Sequence, residues 1–474
     1  MNERIIPARN PRTGVVDYEF KAMSGDGVER EVADMREHQP AWDALGIEGR
    51  SEVLRRWGAA VEERREALLE ALVTDTGRYS LSRGEVLGVG RRIEAWCAQA
   101  PELLADSERV SRANSDVVLA NQYVPYCAVG VISPWNFPLT LSLIDALPAL
   151  FAGCSVALKP SEVTPRFIRP LEESIRAAPD LARVFRVLPG DGETGAALVR
   201  QVDLVCFTGS VATGRKIAAV AGERFIPAYL ELGGKDPAMV MEGADLERAA
   251  DAIVRQGVLN SGQVCLSMER VYVQEGAFDE FLDLLVARAE KVRLNYPDMH
   301  SGHIGPLIRD GQAAVIEEHL ADAVAGGATV HCGGKIEHFG GGDWCAATVL
   351  SDVNHRMRIM TEETFGPVIP VMKFSDVDEG VELSNDSDYG LSAAVFARTD
   401  EEALDIARRI DCGGMSINDA GLQSVTTECE KQSFNYSGLG ASRMGPSGLL
   451  RFFRKKALMT QKGYPRTIDE LGEI

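Results

Sequence analysis

The stretch that most restricts how this chain can fold is Asp203–Lys216, DLVCFTGSVATGRK. A short apolar run ends at Gly209, and a helix opens directly after Ser210. Strand, tight turn and helix in that order make the repeating half of an open α/β sheet. The turn also leaves backbone N–H groups and a hydroxyl at the positive end of a helix, which suits a phosphate. A second glycine-rich turn competes for that role. Gly190–Gly195 (GDGETG) spells G-x-G-x-x-G, but Asp191 and Glu193 would set two carboxylates against a pyrophosphate. The phosphate is therefore expected at Gly209-Ser210. Gly88-Val89-Gly90 lacks the third glycine and reads as a helix terminus.

Ser155–Glu162 (SVALKPSE) is a second buried strand, ending in Lys159 and Glu162. A cation and a carboxylate past a strand's C-terminal end can take ribose hydroxyls, although solvated loop charges fit the same residues. Leu139–Ala157 is apolar, yet Asp145 and Pro148 interrupt it and Gly153 closes its helical half. A buried helix leading into a buried strand is expected there, not a membrane span. Val117–Val131 alternates as strands do, with Pro125 where an edge strand permits, and suits an extended arm. Ser51–Leu72 reads as one long helix, Ser82–Cys97, Phe278–Val292 and Glu401–Ile410 as others, and His300–Gly342 as a looser stretch of glycine turns. The N-terminal MNERIIPARNP is charged and broken by proline, unlike a secretory signal.

The chemistry centres on Cys265. Asp245–Leu259 places Leu246, Ala249, Ala250, Ile253, Val254 and Val258 at helical spacing, Ser261-Gly262 breaks that helix, and Arg270–Gln274 alternates as a strand. The thiol thus falls on a connection, where a reactive group can face a cleft; a small core hydrophobe is the plainer reading of any cysteine. Ile132–Pro138 (ISPWNFP) is a stiff loop carrying one amide, Asn136, which is either an oxyanion donor braced by Trp135 and Phe137 or part of an aromatic turn. Glu231 ends an apolar strand in PAYLELGGK, where desolvation would make it a useful base and a structural partner would make it inert. Nine cysteines form no CxxC pair, so neither a disulfide framework nor a zinc site is indicated, and a reducing cytoplasm fits. All seven histidines lie outside these motifs, against a Cys–His protease. A net charge of −20 repels phosphate backbones, so Arg451–Lys456 reads as a solvated helix flank and not as a nucleic-acid patch.

In order along the chain, ISPWNFP, LKPSE, FTGSVATG, LELGGK, GQVC, EETFGPV and NDSDYGLSAAVF resemble the motifs of the NAD(P)-dependent aldehyde dehydrogenase superfamily. The resemblance implies an α/β fold of three parts. These are a Rossmann-type NAD-binding domain (1–105 and 126–232), an α/β catalytic domain (233–438), and a β-strand oligomerisation arm with tail (106–125 and 439–474). It implies a homodimer or homotetramer that binds a small aldehyde, to which the thiols add a cytoplasmic location and the charge and interrupted apolar window add no nucleic-acid or membrane partner. Cys265 matches the nucleophile, Glu231 the general base and Asn136 the oxyanion donor. NAD contacts are implied for Ile132, Ser133, Pro134, Trp135, Lys159, Ser161, Glu162, Gly192, Phe207, Gly209, Ser210, Leu232, Gly233, Glu363 and Phe365, with no metal. A carboxylate at Glu162 favours NAD over NADP, because it accepts from a ribose 2′-OH and repels a 2′-phosphate.

Several positions depart from the family pattern. Asp145 stands where a lysine is usual, Met444 where a glutamate is usual, and Gln432-Ser433-Phe434-Asn435 replaces GGxK. By similarity the substrate tunnel draws on Phe137, Thr140, Leu141, Ile144, Val264 and Leu266, with no arginine for a second carboxylate, which favours an apolar or aromatic aldehyde. Transfer of the thioester to coenzyme A, a cofactor-independent thiol esterase and a non-catalytic scaffold are the competing readings.

Overall fold

In the computed structural model, which describes residues 4–105 and 108–472, strands and helices alternate to build two mainly parallel sheets, with an antiparallel arm beside them. The first sheet is centred on Ala128–Ile132. Ser155–Lys159 and Phe185–Val187 follow on one side, Leu204–Thr208 and Ala228–Glu231 on the other, all parallel. Gly438–Leu439 closes that second side antiparallel. This is the doubly wound, Rossmann-type order. Its switch point lies past the carboxyl ends of Ala128–Ile132 and Leu204–Thr208, where open sheets bind ligands. ISPWNFP and Gly209-Ser210 both leave from there.

Alternation along the central strand explains why both faces are covered. Val129 and Val131 join a core with Leu54 and Trp57 of the helix Gly46–Glu63 and with Leu143 and Leu147 of the helix Pro138–Ala152. Ala128 and Ile132 face Val28 and Val32 of the helix Gly25–Asp43 and Ile217 of the helix Val211–Arg224. The helix Pro138–Ala152 starts on a proline, which lacks the N–H that would go unpaired there. Its next free amides, Leu139 and Thr140, donate to the buried Glu85 carboxylate at 3.1 and 3.0 Å. It stops at Gly153, whose φ of 97° suits glycine.

The second sheet runs in the order Thr329–Cys332, Thr348–Ser351, Val368–Phe374, Met268–Gln274, Asp236–Val240, Ser392–Phe396 and Gly414–Ile417, antiparallel only between the first two. The helix Leu246–Val258 links two of its strands and buries Ile253 and Val254, as its spacing predicts. The arm pairs Phe453–Gln461 with Val117–Pro125, and that strand with Arg109–Val110. No described helix is long and apolar enough to cross a membrane.

The structure corrects five expectations. Ser51–Leu72 is not one helix: Gly46–Glu63 and Arg65–Thr76 meet at Arg64, whose φ of −103° and ψ of 14° leave the helical region. The arm ends at Pro125, and Ala128–Ile132 is instead the buried central strand. Gly88 and Gly90 lie inside the helix Tyr79–Leu103, not at an end. His300–Gly342 contains the helix Gln312–Ala325, whose narrow buried stripe of Ile316, His319, Leu320 and Ala323 is framed by glycines. Arg451 is buried, and Phe453 begins the arm strand, so this basic run is no solvated helix flank. Positions 106 and 107, the first of the expected arm, and 473–474, the last of the tail, lie outside the described residues.

Candidate active site

Cys265 sits on the connection between the helix Leu246–Val258 and the strand Met268–Gln274. The bend before it is strained. Asn260, Ser261 and Gly262 take φ of 52°, 58° and 71°, a conformation costing roughly 1–2 kcal/mol for each residue with a Cβ. A Cβ on Gly262 would lie 2.0 Å from the Gly366 carbonyl oxygen. Ser261 Oγ donates to the Gly305 carbonyl (2.7 Å), Gln263 Nε2 to that of Asn260 (2.9 Å), and the Ile308 amide to Gln263 Oε1 (2.8 Å). These bonds offset the strain and fix the direction in which the sulfur is presented.

Asn136 reaches the same loop from 127 positions away: its Nδ2 donates to the Gln263 carbonyl at 2.9 Å, two residues before the sulfur. Its backbone carbonyl accepts from Arg78 (2.5 Å) and from Asn260 Nδ2 (3.1 Å). The bracing therefore comes from side chains outside the sequence motifs. Phe137 lies under the Arg78 guanidinium at 4.4 Å, and Trp135 packs edge-on against Phe365, ring centres 5.5 Å apart. Arg78 is itself bound to Glu85 at 3.2 Å. One buried pair thus holds the amide loop and starts the helix behind it.

A cavity of about 250 Å³ joins these parts at the switch point of the first sheet. Pro134, Trp135, Asn136, Gly209, Ser210, Leu232, Gly233, Cys265, Glu363 and Phe365 line it, together with Thr208, Leu141, Arg309, Gln312 and Val315. Of the expected tunnel residues only Leu141 is in this lining. Thr140 Oγ1 accepts from Arg92 at 3.2 Å, and Val264 is buried. The lining does contain an arginine, Arg309, and Gln312, from the segment whose glycines suggest loop. A larger groove of about 1260 Å³ lies between the N-terminal strands and the edge strand Phe185–Val187, but none of the expected site residues lines it.

Cys265 is partly exposed to the cavity, yet burial by the surrounding protein pushes its thiol up to about 12; Lys431 and Arg443 pull the other way. Burial, then the Glu269 carboxylate, raises Glu363 to about 8. Glu363 accepts from the Gly234 amide at 3.1 Å. The turn that carries Glu363 and Phe365 is tied down from below: the Thr364 and Phe365 amides (2.7 and 2.8 Å) and the Lys235 ammonium (2.7 Å) all donate to Glu269.

Glu231 is different. It ends the strand Ala228–Glu231, but its carboxylate is outside the cavity lining. Oε2 accepts from Ser433 Oγ at 2.9 Å, and Oε1 lies 3.9 Å from Arg443 Nε, so its surroundings are polar and charged where an apolar strand suggested otherwise. Ile132, Ser133, Lys159, Ser161, Glu162, Gly192 and Phe207 also stand outside the lining. Ser133 Oγ is bonded to Ser142 Oγ (2.7 Å), and Lys159 Nζ donates to Glu162 at 2.9 Å just past its strand. Gly192 opens a helix whose Glu193 amide already donates to Asp191 at 3.0 Å.

The part of the cleft that the cavity spans suits the phosphate end of a dinucleotide. The helix Val211–Arg224 directs its N-terminus, capped by Ser210, at the cavity. At Gly209 a Cβ would come within 2.5 Å of the Phe207 ring, and at Gly233 within 2.5 Å of the Glu363 carboxyl, so a side chain at either position would have to displace that neighbour. Glu363 offers a carboxyl oxygen with acceptor capacity left over.

Known proteins share this architecture. Residues 1–458 match the model of the aldehyde dehydrogenase family. A Mycobacterium ulcerans protein provisionally named succinate-semialdehyde dehydrogenase (NADP(+)) 2 is 33% identical over 93% of this chain and 85% of its own length. A solved Anabaena variabilis structure, provisionally named aldehyde dehydrogenase PutA, superposes with a TM-score of 0.96 at 51% identity, over 98% of this chain and 99% of that one. The betaine aldehyde dehydrogenase of Staphylococcus aureus, solved with NAD+, gives 0.89 at 29% identity over 99% and 94%.

Proposed function

Because this chain belongs to the aldehyde dehydrogenase family and its activity is NAD(P)-dependent aldehyde oxidation, we propose that Cys265 is the nucleophile, Asn136 the oxyanion donor and Glu231 the base for hydrolysis, with NAD as the preferred cofactor. The observation that carries this is the shared cavity: sulfur, amide, helix N-terminus, Glu363 and Phe365 line one space.

The Cys265 thiol first loses its proton to solvent through the cavity, to which it is partly exposed; the thiolate then attacks the aldehyde carbon, and the carbonyl oxygen becomes an alkoxide. Asn136 has two N–H donors and spends one on Gln263, which leaves one for that oxygen alongside the Cys265 amide. Pro134, Trp135, Gly209, Ser210, Leu232, Gly233, Glu363 and Phe365 would hold the cofactor at the cavity, and Lys159 with Glu162 its adenosine ribose. When bound, the oxidised nicotinamide would supply the hydride acceptor that the thiohemiacetal on Cys265 needs to become a thioester. From its station beside Ser433, Glu231 then takes a proton from a water that attacks the thioester carbon; the C–S bond breaks, the acid leaves and the Cys265 thiolate is restored. A base of this kind favours water over coenzyme A as acceptor.

The Lys159–Glu162 pair supports the NAD preference. Its carboxylate is still half-exposed at 40% and would meet a 2′-phosphate as a like charge. We further read residues 1–105 with 126–232 as the cofactor domain, 233–438 as the catalytic domain, and the outer arm strand Phe453–Gln461 as the surface that pairs chains in a cytoplasmic homo-oligomer. A screen of aliphatic, aromatic and semialdehyde substrates, read by NADH absorbance with NAD and with NADP, tests the proposal. Wild type should favour NAD at least about tenfold in kcat/KM, and Cys265→Ala should make no NADH. Equal use of both cofactors removes the role of Glu162; NADH from Cys265→Ala removes that of the thiol.

A further inference from the structure

Behind the cavity four charged side chains form a line, Asp145 and Arg451 buried and Arg443 and Glu231 partly so, and three of them take no part in the steps above. Asp145, 1% exposed, shares its carboxylate between Arg451 and Arg443, the latter at 3.0 Å. Arg443 also donates to Thr208 Oγ1 at 2.6 Å, and Thr208 lines the cavity. Its Nε–H has no hydrogen-bond partner among the described residues and lies 3.9 Å from Glu231 Oε1. A buried donor left without its hydrogen bond is destabilising, so this geometry calls for an explanation. Charge pairing supplies one. Two guanidiniums share the single charge of Asp145, which leaves net positive charge beside Glu231.

The polarity of this line matters. The family pattern leads one to expect a lysine at 145 and a glutamate near 444; the chain has a carboxylate at the first and a guanidinium one place before the second. Burial pulls the Arg443 guanidinium down, but Asp145 and then Glu231 outweigh it, and the group is raised. A guanidinium does not give up its proton under working conditions, so it cannot relay one. It can only position.

We propose that Arg443 is a positioning residue for Glu231: aimed by Asp145 and Thr208, it holds the carboxylate beside Ser433 in the orientation from which thioester hydrolysis proceeds. This role rests on Glu231 being the hydrolytic base; the lesser pull of Arg443 on the Cys265 thiol, behind burial and Lys431, is read separately in the burst. Asp145 keeps its Arg451 partner when Arg443 is removed, so an Arg443 variant leaves no unpaired carboxylate there.

The test uses the full chain with saturating NAD and an aldehyde it turns over, and measures the NADH burst separately from steady-state turnover. Arg443→Gln should slow turnover about tenfold while burst rate and amplitude per chain stay within about twofold, and Arg443→Lys should recover most of the loss. On a Glu231→Gln background, Arg443→Gln should add less than about twofold, because the two act as a unit. Burst amplitude counts folded sites, so partial unfolding is corrected for directly. Wild-type turnover in Arg443→Gln, an equal fall in burst rate, or a full tenfold addition on the Glu231→Gln background overturns the inference. Normal turnover in Glu231→Gln would instead remove the base itself; a stalled Glu231→Gln beside a normal Arg443→Gln removes only the part given to Arg443.

Discussion

Replacing Asn136 by alanine separates catalysis from folding, because the structure holds this residue by its backbone and uses its side chain. The loop's carbonyl would keep its bonds from Arg78 at 2.5 Å and Asn260 at 3.1 Å. Only the amide's bond to the Gln263 carbonyl is lost, and that oxygen still accepts from Asn260 Nδ2 at 3.2 Å. One net hydrogen bond and a small void should cost about 1–2 kcal/mol of stability. Removing an oxyanion donor costs about 3–4 kcal/mol in the transition state, roughly a 10²- to 10³-fold fall in kcat. Asn136→Ala should therefore melt cooperatively, bind cofactor, and oxidise aldehyde at well under about a hundredth of the wild-type rate. Asn136→Asp should do no better, since a carboxylate repels the alkoxide. Initial rates from NADH absorbance, normalised to folded protein by circular dichroism, give the comparison. Activity above about half of wild type, or a loss of rate that only follows loss of fold, would refute the oxyanion role.

Two further substitutions probe the scaffold. Gly262→Ala places a Cβ 2.0 Å from the Gly366 carbonyl at a φ of 71°, so urea denaturation should show a loss of about 3 kcal/mol or more, with activity falling in parallel; a stable, active variant would mean that the bend does not aim the thiol. Burial raises the Asp236 carboxyl from the ordinary 3.8 to about 7. Its contribution is complete below the ordinary value and is lost as pH climbs through about 7. Unfolding free energy should decline over that interval in wild type and less steeply in Asp236→Asn, with unchanged slopes arguing against the buried carboxyl.

Much of this was legible because it is local. The 3.6-residue spacing of Leu246–Val258, the Gly209-Ser210 turn and the proline-bounded ISPWNFP loop each state their own geometry, and the structure places them accordingly. What escaped is set by distance along the chain. Arg78 meets the Asn136 carbonyl across 58 positions and Arg443 meets Asp145 across 298, so no window of sequence displays either pair. The Gln312–Ala325 helix was hidden differently, by a buried stripe containing a histidine and by glycines at both ends. Glu231 shows the limit of reading a carboxylate from its strand alone: the hydroxyl and guanidinium beside it come from a segment some 200 residues further on.

The central claim is that the Cys265 sulfur carries the substrate. Quenching Glu231→Gln after one burst of NADH and mapping the peptides by mass spectrometry tests it most directly. One acyl group per chain on the peptide containing Cys265 is the predicted result. An acyl group on any of the other eight thiols, or a full NADH burst with no covalent adduct, would contradict it.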